Sequence, residues 1–205
     1  MTTSRRRSHW EAVYETKGES EVSWHQDEPT CSLELVTAYA PPGGRVVDIG
    51  GGSSVLAGRL ATLGFAVTVL DISTAALTRA HSRIDQATAA KIDWVAADIT
   101  TVGHVSPCDV WHDRAVFHFL TDEADRQAYR AVLKHSVRPG GHVVLGTFAM
   151  DGPAQCSGLP VERYDAAALM ETMGSDLTFV HALQQTHTTP WGAPQSFFWA
   201  VLRAV

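Results

Sequence analysis

The chain has 205 residues, 45% of them hydrophobic and 19% charged, with a formal net charge of -6 at neutral pH. This length and apolar content predict one globular domain with its own core, and the acidic balance disfavours a nucleic-acid partner, because phosphate binding relies on excess Lys and Arg. No apolar stretch approaches the roughly 20 residues that a membrane span needs, and the N-terminus has no signal-peptide core, so we expect a soluble, cytoplasmic protein.

Residues 1–43 are predicted to form an N-terminal helical cap, which belongs to the same domain as a core over residues 44–205. The spacing of apolar residues around Trp10 and Tyr14 predicts a short amphipathic helix over residues 9–17. The three consecutive arginines before this helix are predicted to form a solvated tail. A second helix, opened by a proline, ends at a cluster of prolines and glycines that separates the cap from the core.

From residue 45 onward, predicted strands and helices alternate. Strands are expected over residues 45–49, 66–70, 91–95, 108–112, 142–148, 177–186 and 195–203. Helices are expected over residues 53–63, 73–83 and 121–135, with a last one after Asp165. This alternation predicts an α/β fold, a Rossmann-like seven-stranded doubly wound sheet with an antiparallel C-terminal strand pair.

A glycine-rich turn follows the first core strand, as Gly50, Gly51 and Gly52. Glycines let the main chain turn tightly and approach a ligand closely, and a helix that begins near Ser53 would point its unpaired N–H groups at that ligand. The turn therefore predicts a nucleotide site. A dinucleotide fingerprint requires a third glycine where Val55 stands, which disfavours a pyrophosphate ligand.

Acidic residues end three successive predicted strands. Asp48 can organise the turn or pair with a ligand ammonium group, Asp71 can accept hydrogen bonds from two ribose hydroxyls, and Asp98 can accept one from an adenine amino group. Ile72 can pack on the adenine, and Ile99 lies beside Asp98. Because strand-end carboxylates line the crevice where open α/β sheets bind ligands, these residues are predicted to bind the cofactor together with Gly50 and Gly52.

In these segments the chain resembles the class I S-adenosylmethionine-dependent methyltransferases. The resemblance covers residues 45–205, and the segments that carry it are residues 47–52, 70–73, 97–99 and 137–141. It implies an enzyme that uses S-adenosylmethionine as methyl donor and releases S-adenosylhomocysteine. It does not identify the methyl acceptor.

The cap and two later segments resemble thiopurine methyltransferases and halide/thiol methyltransferases. The segments that carry this resemblance are residues 9–14, 24–29, 109–117 and 152–161. The resemblance implies that Trp10, Tyr14 and Trp24 surround the cofactor, and that Asp113 and Arg114 lie at its methionine end or in the acceptor pocket. The loop over residues 156–160 departs from the pattern of both groups, so their substrates are not carried over.

Asp113, Arg114 and His118 are the candidate catalytic residues. His112 and His118 flank the crossing from strand to helix, and each is interpreted either as a hydrogen-bonded structural histidine or as a base. The 3 cysteines and 10 histidines show no metal-ligand spacing, so no metal site is predicted.

The predicted reaction is in-line methyl transfer to a small soft nucleophile of the thiol, sulfide or metalloid type. A free thiol titrates at about 8.5 and needs little help to ionise, and Arg114 could stabilise the thiolate. Two alternatives stay open. One is a protein-lysine N-methyltransferase, because the start of the cap also resembles enzymes of that group, and the other is a non-catalytic protein that binds S-adenosylmethionine. The expected partner is a small-molecule acceptor, with a protein acceptor as the alternative, and no nucleic acid or membrane.

Overall fold

The computed structural model describes residues 1–205 and contains nine strands. In chain order these are β1 (Arg45–Ile49), β2 (Ala66–Asp71), β3 (Ile92–Ala96), β4 (Cys108–Arg114), β5 (Val137–Phe148), β6 (Gln155–Cys156), β7 (Leu159–Pro160), β8 (Leu177–Thr188) and β9 (Pro194–Ala204). Seven of them form one sheet of order β3-β2-β1-β4-β5-β9-β8, while β6 and β7 pair as a separate hairpin. The first five strands are parallel and β9 is antiparallel to both its neighbours, which confirms the predicted fold class.

Seven helices accompany the sheet. They are α1 (Thr3–Thr16), α2 (Thr30–Tyr39), α3 (Leu56–Thr62), α4 (Thr74–Ser82), α5 (Gln86–Ala89), α6 (Glu123–Ser136) and α7 (Ala166–Met173). None of them is long and apolar enough to cross a membrane. Because successive side chains of a strand point to opposite faces, each strand of the central sheet contributes to two apolar layers.

The two apolar layers hold the helices against opposite faces of the sheet. On one face, Val46 of β1 and Val110 of β4 pack in a cluster with residues of α2, α3 and α4. On the other, Val47 of β1 and Trp111 of β4 pack with residues of α6 and α7. Because β1 to β5 are parallel, their carboxyl ends all lie at the same edge of the sheet.

Several boundaries differ from the prediction. The first helix begins at Thr3, not at residue 9, so Arg5–Arg7 are helical and do not form a solvated tail. Helix α3 begins at Leu56, which leaves Ser53 in the turn after β1. Helix α5 and the β6–β7 hairpin were not predicted at all, because segments of four and two residues are too short to show a period.

Candidate active site

A cavity of about 860 Å³, open to solvent, lies at the carboxyl ends of the parallel strands, and we call it the main cavity. Its wall is mostly apolar and aromatic. The lining residues include Trp10, Tyr14 and Trp24 of the cap, Ile49, Gly50, Asp71, Ile72, Asp98 and Ile99 at the ends of β1 to β3, and Arg114, Phe119, Phe148 and Phe197. Most of the predicted cofactor residues therefore line one space.

A second cavity of about 570 Å³ adjoins the main one and is more polar. The two cavities share Tyr14, Trp24, Ile49, Gly50 and Arg114. The second cavity is further lined by Asp48, His112 and the hydroxyl residues Ser32, Ser53 and Ser54. A ligand with one apolar and one polar end could thus extend from one cavity into the other.

Glycine is required in this turn for two reasons, which are the backbone conformation and the close approach of neighbouring side chains. Gly50 has φ +64° and Gly52 has φ +53°, a region that side chains disfavour. A Cβ atom on Gly50 would overlap the side chain of Val116, and one on Gly52 would lie 2.5 Å from the hydroxyl oxygen of Tyr14. Gly50 lines both cavities, but Gly52 lines neither. Its amide donates to the Asp71 carboxylate over 2.9 Å, so Gly52 acts by positioning Asp71.

Asp71 lies at the end of β2 and lines the main cavity. One carboxylate oxygen accepts the Gly52 amide and the other accepts the amide of Ser73 at 2.8 Å. Each oxygen can accept a further hydrogen bond, so the group keeps capacity for ligand hydroxyls. Burial, with the nearby charge of Asp48, raises the pKa of Asp71 to about 6.

The carboxylate of Asp98 is occupied by contacts within the protein, chiefly an ion pair with Arg6 of α1. Nε of Arg6 lies 3.1 Å from its carboxylate, and Thr100 donates both its amide and its hydroxyl to the other oxygen. Burial would raise the pKa of Asp98, but the bonds from Thr100 and the charge of Arg6 outweigh it and lower the pKa. Arg6 also pairs with Asp125 at 2.6 Å. No sequence pattern indicated this anchor, which ties α1 to two parts of the core.

Aromatic side chains of α1 and of the segment after it close over the main cavity. The ring of Trp10 lies 5.7 Å from Trp24 and 5.0 Å from Phe119, and Tyr14 lies 6.1 Å from Trp24. All of these contacts are edge-to-face, a favourable geometry for aromatic pairs. Trp10, Tyr14 and Trp24 thus line the main cavity, and their contact with the cofactor stays a prediction.

Glu11 fastens the same helix to the start of α4. Its carboxylate accepts hydrogen bonds from the Ser73 hydroxyl at 2.8 Å and from the amides of Thr74 at 2.7 Å and Ala75 at 3.0 Å. These amides belong to the first turn of α4, whose N–H groups have no partner within the helix. The carboxylate therefore acts as a cap supplied from a distant part of the chain.

Asp48 and His112 form a buried pair beside the second cavity. Oδ1 of Asp48 lies 2.7 Å from Nδ1 of His112, and each side chain is 3% exposed. The remaining polar atoms of the pair, Oδ2 and Nε2, are buried without a partner in the protein. Asp48 is thus placed to organise the turn, with one oxygen still available to a cation.

The structure places two predicted catalytic residues away from both cavities. Asp113 is fully buried, and its carboxylate accepts the amides of Val116 at 2.8 Å and Phe117 at 3.1 Å and the hydroxyl of Tyr129 at 2.8 Å. Burial raises its pKa to about 6. This correction follows from the strand geometry, because Asp113 and Arg114 point to opposite faces of β4.

His118 is also fully buried and lines neither cavity. Its Nδ1 accepts the amide of Phe148 at 3.4 Å, while Nε2 has no partner in the protein. Burial, and secondarily the charge of Arg114, lowers the pKa of His118 to about 3. The side chain is consequently neutral at physiological pH, and the structural interpretation of this histidine fits its surroundings.

Arg114 lines both cavities and has an unusual set of neighbours. Its Nη1 donates to the carbonyl oxygen of Trp24 at 2.9 Å, and its guanidinium carbon lies 4.8 Å from the centre of the Phe197 ring. Nε and Nη2 are buried with no partner in the protein, and no carboxylate lies within ion-pair distance. Burial lowers the pKa of Arg114 to about 10, which leaves it charged at neutral pH.

Several residues of the cavity wall are not among the predicted site residues. These are Arg6, Ser23, Phe119, Phe148, Cys156, Gln195 and Phe197. Phe148 ends β5 and pairs with Phe197 of the antiparallel strand β9, so knowledge of this strand pairing would have indicated both. No group of three or more His, Cys, Asp or Glu side chains is arranged to hold a metal.

Comparisons with known proteins agree with this architecture. Residues 46–141 match a family model described as methyltransferase domain. A methyltransferase from Anabaena variabilis, described as S-adenosylmethionine-dependent, is 16% identical with a TM-score of 0.77, covering 99% of this chain and 95% of that one. The N-methyltransferase NodS from Bradyrhizobium japonicum, solved with S-adenosylhomocysteine, is 21% identical with a TM-score of 0.72, covering 96% and 98%.

A third similar structure is described by the conversion of a disulfide bond into a thioacetal group during echinomycin biosynthesis. It is 20% identical with a TM-score of 0.76, and the match covers 97% of this chain and 92% of that one. No curated protein matches the chain by sequence. At these identities the solved structures show a shared fold.

Proposed function

We propose that the chain is an S-adenosylmethionine-dependent methyltransferase of class I and that it methylates a small soft nucleophile of the thiol, sulfide or metalloid type. The observation that carries the proposal is the main cavity beneath the aromatic cap. Trp10, Trp24 and Phe119 cover it by mutual contacts, which favours an acceptor small enough to be enclosed.

The residues around the two cavities fit the methyl donor. The carboxylate of Asp71 has capacity for ribose hydroxyls, and Ile72 and Ile99 offer apolar surface for the adenine. The unpartnered oxygen of Asp48 in the second cavity is available to the donor's ammonium group. When bound, S-adenosylmethionine supplies a methyl group made electrophilic by its sulfonium sulfur.

The chain itself contributes alignment, exclusion of water and a positive charge. Methyl transfer by in-line displacement needs reactants held in one geometry more than it needs acid or base groups. The apolar and aromatic wall would leave little room for water once donor and acceptor are bound, and Arg114 on that wall favours an anionic acceptor such as a thiolate.

The absence of a suitable base on the cavity wall favours a soft nucleophile over lysine. No histidine lines the main cavity, and both carboxylates there, Asp71 and Asp98, already accept hydrogen bonds from the protein. A lysine acceptor, which titrates near 10.4, would need a group to take its proton, whereas a thiol near 8.5 is partly ionised at neutral pH.

The similar structures support different acceptor atoms. The echinomycin-related structure is described by chemistry at sulfur, which agrees with the proposal, whereas NodS is an N-methyltransferase. A nitrogen acceptor, including protein lysine, therefore stays as the second candidate. A protein that binds the donor without transferring the methyl group is the third.

The test combines binding with a panel of acceptors. Calorimetry with S-adenosylhomocysteine is expected to show a specific complex, and labelled donor is expected to transfer its methyl group to small thiols or hydrosulfide. Halides, small amines and a cell lysate complete the panel. Label found only in protein would overturn the soft-nucleophile proposal, and binding without transfer to any acceptor would favour the non-catalytic alternative.

A further inference from the structure

The guanidinium group of Arg114 presents an unused pair of donors. Nη1 is occupied by the carbonyl oxygen of Trp24, while Nε and Nη2 are buried without a partner in the protein. In arginine, the N–H bonds of Nε and Nη2 lie side by side and in parallel. This pair matches the two oxygens of a carboxylate, which it binds with two hydrogen bonds.

The charge of Arg114 is likewise uncompensated. No Asp or Glu side chain lies within ion-pair distance, and the centre of the Phe197 ring lies 4.8 Å from the guanidinium carbon. A cation withdrawn from water without a partner is costly, whereas an anion bound beside it recovers that cost. The site is therefore suited to an anionic ligand group.

Arg114 ends β4, which lies next to β5 and on the side of β1 away from the predicted nucleoside residues at β2 and β3. The wall of the main cavity also includes Phe148 at the end of β5 and Gln195 and Phe197 on β9, and the Phe197 ring contacts the Arg114 guanidinium. Asp71 and Asp98 belong to the opposite half of the sheet, at β2 and β3. A donor whose nucleoside lies at β2 and β3 leaves the β5 and β9 side to the acceptor.

The donor carries a carboxylate of its own, and the second cavity offers it other partners. Ser32, Ser53 and Ser54 provide hydroxyl groups there, beside the Asp48 oxygen that is available to the donor's ammonium group. The amino-acid end of the donor can thus be bound in the second cavity. The unused donor pair of Arg114 then remains for the acceptor.

We propose that Arg114 binds a carboxylate on the methyl acceptor, so that the substrates are small acids with an apolar, preferably aromatic, body. This inference rests on the proposed function and narrows its acceptor class. Phe148 and Phe197 supply the aromatic surface for that body. Oε1 of Gln195, buried without a partner in the protein, can accept a hydrogen bond from a further N–H or O–H group of the same molecule.

The test compares benzoate with benzamide, which have the same shape but differ in charge. Each is titrated calorimetrically into the protein saturated with S-adenosylhomocysteine. We expect benzoate to bind at least about tenfold more tightly than benzamide, as two charge-assisted hydrogen bonds require. Equal affinities, or no detectable benzoate binding at millimolar concentration, would overturn the inference.

Variants assign the preference to one side chain. Arg114→Gln is expected to bind benzoate and benzamide equally, and Arg114→Lys, which keeps the charge but loses the parallel donor pair, to restore only part of the preference. Arg59→Gln removes the same charge from an arginine with 56% side-chain exposure and is expected to behave like the wild type. If Arg114→Gln does not fold, the wild-type comparison and Arg114→Lys still decide the question.

A further experiment distinguishes a carboxylate of the acceptor from the carboxylate of the methyl donor. If Arg114 instead binds the donor's carboxylate, benzoate will bind the adenosine-loaded protein and will be displaced by S-adenosylhomocysteine, which contradicts the inference. Binding to both loaded forms supports it. Failure of S-adenosylhomocysteine to bind at all would count against the proposed function, whereas the benzoate preference can still be measured on the protein alone.

Discussion

Nδ1 of His112 lies 2.7 Å from Oδ1 of Asp48, and both side chains are buried at neighbouring positions of β4 and β1. Removing one partner of a buried pair leaves the other without compensation. We expect His112→Phe to lower the free energy of unfolding by about 3 kcal/mol, measured by urea denaturation. His104→Phe, at an exposed histidine, serves as control and should change stability by no more than about 0.5 kcal/mol. Equal stability of the two variants would contradict a structural role for the pair.

The ion pair between Arg6 and Asp98 is expected to contribute to donor binding by holding α1 over the main cavity. Arg6→Gln should raise the Kd for S-adenosylhomocysteine about tenfold, because hydrogen bonds to charged groups contribute roughly 1.5–3 kcal/mol. The measurement is calorimetric titration of the variant and the wild type. Arg5→Gln removes the same charge from an exposed neighbour on the same helix. A tenfold loss in both variants would assign the effect to net charge and not to this contact.

Trp10 is expected to matter more for binding than for stability. The side chain is only partly buried, and it packs on Trp24 and Phe119 at the wall of the cavity. Trp10→Ala should raise the Kd for S-adenosylhomocysteine roughly tenfold or more, since an aromatic wall and its edge-to-face contacts are lost. Trp191→Ala, at a tryptophan with 59% exposure, is the matched control. If Trp10→Ala binds with wild-type affinity, the cap does not contribute to the binding site.

Binding of S-adenosylhomocysteine should weaken in mild acid. Burial raises the pKa of Asp71 to about 6, and the ionised carboxylate is the better acceptor for ribose hydroxyls. Protonation therefore competes with binding, and the Kd is expected to rise about tenfold between about pH 7 and pH 5. In Asp71→Asn the Kd should be higher and should lose most of this dependence on pH. A wild-type Kd that is constant over this range would contradict the assignment.

The same raised pKa has the opposite consequence for the folded protein without ligand. Asp71 and Asp113 both hold their protons more tightly when folded than when unfolded, because burial raises each pKa to about 6. Their contribution to stability is therefore complete below about pH 4, near the pKa of an unfolded Asp, and is lost as the pH rises through about 6. Ionisation of Asp71 is thus expected to favour ligand binding while it lowers the stability of the protein without ligand.

The sheet could be predicted because its signals are local. Apolar runs that end in an acid at Asp48 and Asp71, separated by helical spacing, specify parallel strands and the edge at which they end. The start of α1 could not be predicted in this way. Its first turn contains Arg5 and Arg6 and no apolar residue, and the contacts that hold it include the distant partners Asp98 and Asp125 of Arg6, which no local pattern indicates.

Whether a predicted site residue lines the cavity depends on the direction in which its side chain points. Asp71 and the cap aromatics reach the cavity, but Asp113 turns away from it to bind Tyr129. The alternation along β4 predicts that His112 and Arg114 share one face, which leaves Asp113 on the other. What the sequence could not indicate is that Arg114 would lack a carboxylate partner, because pairing depends on residues from β9 and the cap.

The carboxylate of Glu11 has a consequence for how the nucleoside enters and leaves. It caps the amides of Thr74 and Ala75 at the start of α4, three and four residues beyond Asp71, while Trp10, the residue before Glu11 in α1, lines the main cavity. The helix α1 cannot lift from the cavity without exposing those amides to solvent. If α1 lifts to admit or release the nucleoside, the amides of Thr74 and Ala75 lose their hydrogen bonds to Glu11, and faster amide hydrogen exchange at these two residues is expected to report the opening.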